Sequence, residues 1–282
     1  MATNPESIRA KLYNISKEEK EIAFQELLNR YGAEQFLARL SVSPHAGSFI
    51  FKGGSLLAYL IDSERKTRDL DFSIRQVSNK VEDALSVVQT ILTISMDDGL
   101  TWDSPEGVPL NHPEMDYPGV RIKCLFRLGK AQGHVRMDLA IGDIVEAKKV
   151  SLERIRYRGQ PLIGPDFKIL AYPPETIFSE KLQIAIKRGG QNTRMKDYYD
   201  LFKMSQLGSL DSSLCKQSIE KTFSKRKTDK MTLISFDDEI LERLQIYWSA
   251  FIRKMKITDA PDLLKDVVKI INRRLEAVYK NG

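Results

Sequence analysis

Hydrophobic positions recur with two different periods along the chain, and the change of period divides it. Ile22, Phe24, Leu27, Leu28 and Tyr31 fall at helical spacing after Ser16 and Glu19, whose separation matches a capping box, and Gly32 stands where such a helix can end. A second helix over 33–40 stops before Pro44, and both are expected to pack outside a sheet. Phe49, Ile50 and Phe51 then read as a short buried strand, Leu56 to Ile61 as one helix, and Asp69 to Phe72 as a second strand. Val81, Ala84, Leu85, Val88, Ile91 and Leu92 return to helical spacing. Residues 97–118, rich in Asp, Gly, Pro and Asn, predict a long surface excursion with a short strand around Trp102.

Period two governs 120–128 and 134–141, which predict a hairpin joined through 129–133. In its second strand His134, Arg136 and Asp138 share one face, and Val135, Met137 and Leu139 the other. From Tyr172 the pattern is helical. Pro173-Pro174-Glu175 marks a helix start, Phe178, Leu182, Ala185 and Ile186 form its apolar stripe, and further helices are predicted over 210–223, 237–255 and 261–279, with Ile246, Trp248, Phe251 and Ile252 in the core. The fold class is therefore α/β (α+β): a mixed-sheet lobe with N-terminal helices over 1–165, then an α-helical lobe over 166–282.

One stretch, 49–72, concentrates residues that carry chemistry. Asp69 and Asp71, at i and i+2 on a strand, point to the same face and can clamp divalent metal ions. Gly53-Gly54-Ser55 opens a helix, where bare backbone N–H groups and the helix dipole favour a phosphate chain. Each signal alone is common: a glycine pair often makes only a tight turn, and Asp-Leu-Asp often only ends a strand. In this order, with Arg65, Lys66 and Arg68 just before the carboxylates, they point to phosphoryl or nucleotidyl transfer.

Composition narrows the classes. At 282 residues the chain is long enough for one large domain or two lobes, and 42% hydrophobic with 29% charged residues describes an ordinary globular protein. No apolar run suits a bilayer and no signal-peptide pattern opens the chain, so a cytoplasmic protein without a membrane partner is expected. Cys124 and Cys215 lie far apart, and His45, His112 and His134 lack metal-ligand spacing, which argues against a disulfide framework and against zinc. A net charge of +6 supports a polyanionic partner, a nucleotide or RNA. The basic linker over 224–230 and Lys269, Arg273, Arg274 and Lys280 read as solvated surface, with a track for an RNA backbone as the sharper alternative.

Gly54-Ser55 followed by Asp69-Leu70-Asp71 resembles the signature of the polymerase-beta type nucleotidyltransferase superfamily. The fuller wording, Lys52-Gly53-Gly54-Ser55-Leu56 with Arg68-Asp69-Leu70-Asp71-Phe72, is similar to one branch, the AbiEii-like nucleotidyltransferase toxins of bacterial abortive-infection and toxin–antitoxin systems. Glu180-Lys181-Leu182 followed by Arg194, Lys196-Asp197 and Asp200-Leu201 resembles a second block of that family. On the residues alone this block is a solvated helix face with salt bridges between neighbours.

The resemblance covers about residues 49–205 and implies a polymerase-beta-like lobe whose active-site cleft the helical lobe closes. It implies Asp138 as the third metal carboxylate beside Asp69 and Asp71, with Asp143 as the fallback, and two Mg²⁺ ions, for which Mn²⁺ can substitute. Lys52, Gly53, Gly54, Ser55, Arg68, Lys181 and Arg194 would hold the NTP, and Asp197 or Asp200 would orient the lysine or the acceptor. The implied reaction is transfer of a nucleoside monophosphate from an NTP to RNA, the 3′ end of tRNA, which blocks translation, and the implied partner is a cognate antitoxin protein. Two alternatives stay open: the same chemistry on a protein or small-molecule acceptor, and a non-catalytic module that binds an antitoxin or RNA.

Overall fold

The computed structural model describes residues 4–18, 22–61, 69–75, 80–110, 119–141, 146–229 and 233–281. They form two compact units, one built from residues up to Tyr59 and from Asp69 to Tyr172, the other from Pro173 onward together with Leu60 and Ile61. In chain order the first unit contains α1 (Pro5–Glu18), α2 (Phe24–Val42), β1 (Phe49–Lys52), α3 (Gly53–Leu60), β2 (Asp69–Ile74), α4 (Val81–Leu92), β3 (Leu100–Trp102) and β4 (Glu106–Leu110). It continues through β5 (Gly119–Leu128), β6 (Ala131–Ile141), β7 (Lys148–Leu152), β8 (Arg156–Tyr157), β9 (Gln160–Pro161) and β10 (Phe167–Ala171).

The main sheet runs β3-β5-β6-β2-β1-β10-β7, with β4 also on β5. It is mixed, because β2–β6 and β1–β10 are parallel and the other pairs antiparallel. Alternation sets its two faces. On β5, Val120, Ile122, Cys124, Phe126 and Leu128 are buried, whereas Arg121 and Arg127 are exposed. The apolar face lies under α1, α2 and α4.

Two expectations for the N-terminal helices are corrected. Ser16 does not open a helix: it sits in the last turn of α1 and donates its hydroxyl to the Tyr13 carbonyl at 2.7 Å, while Ile8, Leu12 and Ile15 bury the face of a helix that begins well before it, and Glu19 lies outside the described residues. Gly32 does not end a helix either, since α2 runs unbroken through it. A Cβ at Gly32, or at Gly133 on β6, would run into the Phe126 ring, so the ring sits in two notches that let α2 approach the sheet. That packing outweighs the roughly 1 kcal/mol that glycine costs inside a helix.

The hairpin is tighter than the five-residue connection 129–133: Leu128 faces Ala131, and Gly129 takes φ +57° in a two-residue turn. The 97–118 excursion contributes two strands, β3 and β4, both paired to β5, with 111–118 outside the described residues. Buried ion pairs fasten α2: Arg39 to Asp98, and Arg154 to Glu34 at 3.4 Å.

In the second unit the chain leaves Tyr172 through Pro173, the N-cap of α5 (Pro174–Arg188), and continues as α6 (Met195–Ser205), α7 (Ser212–Lys225), α8 (Asp238–Met255) and α9 (Leu264–Asn281). Trp248 is buried, with its indole N–H donating to the Pro261 carbonyl at 2.9 Å. Ile246, expected in the core, is 70% exposed, because the helical period turns Leu244 and Trp248 inward and leaves the residue between them outside. No helix among the described residues is long and apolar enough to cross a membrane.

Candidate active site

Register assembles the site. Lys52 on β1 faces Asp71 on β2, Asp71 faces Asp138 on β6, and Asp138 faces Arg121 on β5. Directly opposed residues project to the same side of a sheet. Lys52, Asp71, Asp138 and Arg121 thus form one row across four strands, on the side opposite the helices, and Asp69 shares that side from two residues before Asp71. Between and after them, Leu70 and Phe72 turn into the core.

The glycine turn abuts this row. Gly53 takes φ +74°, and a Cβ built on it would lie 2.7 Å from Asp71 Cγ, so only a bare backbone can pass over the carboxylate. α3 begins at that glycine, and its first amides have no acceptor within the helix. Ser55 is buried at 6% exposure, and its Oγ, like Oδ1 of Asp69, has no hydrogen-bond partner among the described residues. Buried polar atoms are normally paired. These two oxygens, beside the glycine turn that opens α3, fit a ligand with hard cations such as Mg²⁺ or Mn²⁺.

Asp138 is otherwise engaged. Arg121 donates to both of its oxygens, Nε at 2.8 Å and Nη2 at 2.7 Å. No three His, Cys, Asp or Glu side chains among the described residues converge as a metal-binding group. The hydrogen bonds that Arg121 donates to Asp138 hold the Arg121 pKa above its ordinary value; partial burial opposes this, and the charges of Asp138, Asp69 and Asp71 add to it. The Lys52 ammonium sits 5.6 Å from the centre of the Tyr172 ring, a cation–π contact. Arg68 and Asp143 lie outside the described residues.

The helical unit holds its own charged cluster. Lys181 Nζ on α5 lies 2.9 Å from Asp197 and 2.8 Å from Asp200, which share one face of α6, and Arg194 Nε lies 3.2 Å from Asp197. Lys181 keeps 11% side-chain exposure and each aspartate 2%. Burial pushes the Lys181 pKa down, but Asp200 and Asp197 together overcome it and hold the ammonium above its ordinary value. For Asp197, burial pushes upward and Lys181 and Arg194 prevail, so its carboxyl is held below the usual range. Lys181 bridges both aspartates, and the cluster is buried and not the solvated face that the residues suggest alone.

The hydrophobic pattern does not single out Arg121, although the sequence contains the signal. A two-residue turn pairing 128 with 131 pairs 121 with 138 by counting outward, whereas a connection through 129–133 fixes no register.

A family model described as nucleotidyl transferase AbiEii toxin, type IV TA system, matches residues 35–280. The fold is similar to that of JHP933 from Helicobacter pylori, with TM-score 0.53 and 15% identity over 92% of this chain and 94% of that one. It is also similar to MenT4, a nucleotidyltransferase toxin from Mycobacterium tuberculosis H37Rv, with TM-score 0.54 and 12% identity over 95% and 98%. No curated protein matches the chain.

Proposed function

We propose, from the premise that this chain belongs to the AbiEii nucleotidyltransferase toxin family of type IV toxin–antitoxin systems, that it transfers a nucleoside monophosphate from an NTP to an RNA, the 3′ end of tRNA. The observation that carries this reading is the register that sets Asp71 between Gly53 and Asp138 with Asp69 on the same face. Asp69 and Asp71, joined by Asp138, would hold two Mg²⁺ ions, which when bound supply charge neutralisation and a lowered pKa for the acceptor hydroxyl. The α3 amides and Ser55 Oγ orient the triphosphate, with Lys52, Arg68, Lys181 and Arg194 contributing positive charge to it. The acceptor oxygen forms the new bond to the α-phosphorus, the α–β bridging bond breaks, pyrophosphate departs with the electron pair, and the hydroxyl proton goes to solvent. Extension of the tRNA end prevents aminoacylation and arrests translation in the cytoplasm, and a cognate antitoxin restrains the enzyme.

The test is incubation with Mg²⁺, total tRNA and each α-labelled NTP in turn, with the RNA resolved on a gel. Label on tRNA from the wild type and at least a thousandfold less from Asp71→Ala, with unchanged circular dichroism, is expected. Label on protein or a small molecule in place of RNA would move the acceptor, and equal transfer by Asp71→Ala would remove the metal clamp.

A further inference from the structure

Beside the carboxylate row, the same sheet face carries a second one. Asp69 faces Arg136, Arg136 faces Lys123, and Lys123 faces Glu106, across β2, β6, β5 and β4. Two cations, Lys123 and Arg136, therefore oppose each other directly across an antiparallel ladder, an arrangement that destabilises a sheet. Arg136 is exposed and Lys123 half-buried, and neither forms an ion pair or hydrogen bond with any described residue. Glu106 is exposed on the far side of Lys123 and does not close a pair with it.

The order of strands says which ligand these cations meet. The glycine cradle follows β1, Asp69 and Asp71 stand on β2, and Arg136 and Lys123 lie beyond them on β6 and β5, Arg136 on the same strand as Asp138. In an in-line displacement the attacking oxygen enters opposite the leaving pyrophosphate. A triphosphate seated at Gly53 and Ser55 thus brings the acceptor hydroxyl in over β6 and β5. We propose that Lys123 and Arg136 form a platform for the phosphodiester backbone of the acceptor polynucleotide next to its reacting end. The platform rests on the nucleotidyl-transfer reading and adds to it the surface that favours a polyanionic acceptor over a protein or a neutral small molecule. Strands about 4.8 Å apart set the two cations close enough to serve neighbouring phosphates of one strand. Such contacts position the strand without reading its sequence.

The experiment measures total tRNA binding by fluorescence anisotropy from 50 to 250 mM salt, without NTP, for the wild type, Lys123→Ala/Arg136→Ala and Lys123→Arg/Arg136→Lys. A fluorescent NTP analogue is titrated in parallel. The double alanine variant is expected to bind tRNA at least tenfold more weakly at low salt. Its log–log salt slope should shrink by about 1.4, from two contacts at about 0.7 each. Its NTP affinity should be unchanged and its melting temperature no lower, since the opposed like charges are gone, and the charge-conserving variant should bind tRNA as the wild type does. An unchanged tRNA affinity and slope overturns the platform while leaving the transfer reading intact if labelling of tRNA persists. An equal fall in NTP affinity overturns it by placing the cations on the triphosphate. A wild type that neither binds nor labels tRNA overturns both.

Discussion

Gly53 is the residue on which the site's geometry turns. Its φ of +74° and its seat against Asp71 exclude any side chain. Gly53→Ala is expected to add about 1–3 kcal/mol of backbone strain and to push Asp71 out of the row. Nucleotide transfer should then fall a hundredfold or more while thermal unfolding shows a folded protein, and a variant with near-wild-type turnover would detach the turn from the carboxylate. Arg121→Ala makes a complementary case, since it frees both oxygens of Asp138. Mn²⁺ binding followed by electron paramagnetic resonance should tighten in this variant, and weaker binding would make the arginine a support for the carboxylate. Gly53, Gly54, Ser55, Asp69 and Asp71 were legible because adjacent spacing alone defines a turn and a strand face. Arg121 was not, because its meaning depends on a partner seventeen positions away and on a turn length that periodicity does not fix.

Among the elements, α5 and α6 depend on one another through Lys181, Asp197 and Asp200. Removing one member of a buried ion pair typically costs about 3–5 kcal/mol, so Lys181→Ala should lower stability by that order as well as impair NTP use. Urea titration checks the first effect, and turnover per folded molecule the second. The carboxyl of Asp197 is held below its ordinary value of 3.8, so its contribution is present above that pH and is lost as pH falls through the lowered value. For Lys181, held above 10.5, the contribution is present below that pH and is lost as pH rises through the raised value. Asp197→Asn should therefore flatten the loss of stability below about pH 4, and a urea midpoint that falls with acid as steeply as the wild type's would assign that loss to other carboxylates. Strand and helix periods revealed most of these elements. What they hid were positions where packing overrides local preference: Gly32 inside α2 beside the Phe126 ring, and β3 and β4, whose polar, glycine- and proline-bearing residues become strands by pairing with β5.

For the whole molecule, each compact unit contains one cysteine, Cys124 in the first and Cys215 in the second. Both are buried, and burial pushes each thiol up to about 12. Neither should react with a thiol reagent at pH 8 in the native chain, and the order in which the two become labelled along a urea series reports whether the units unfold together or one after the other. Labelling of either in native buffer would contradict the packing around it. In growing bacteria, expression should slow division only when Asp69 and Asp71 are intact, so equal toxicity of the double alanine variant would point to harm by binding alone.

The lysine and its two aspartates also shape how this chain can drift over generations. Replacing Lys181 takes the shared ammonium from two buried aspartates, and replacing either aspartate takes one of the two carboxylates from a buried lysine, while an apolar set of similar volume would be tolerated. The route between those two sound versions passes through variants too unstable to persist. Descendants should therefore keep Lys181, Asp197 and Asp200 as a block or exchange them as a block, and a comparison of homologues should find them rising and vanishing together even where the surrounding helices have diverged beyond recognition.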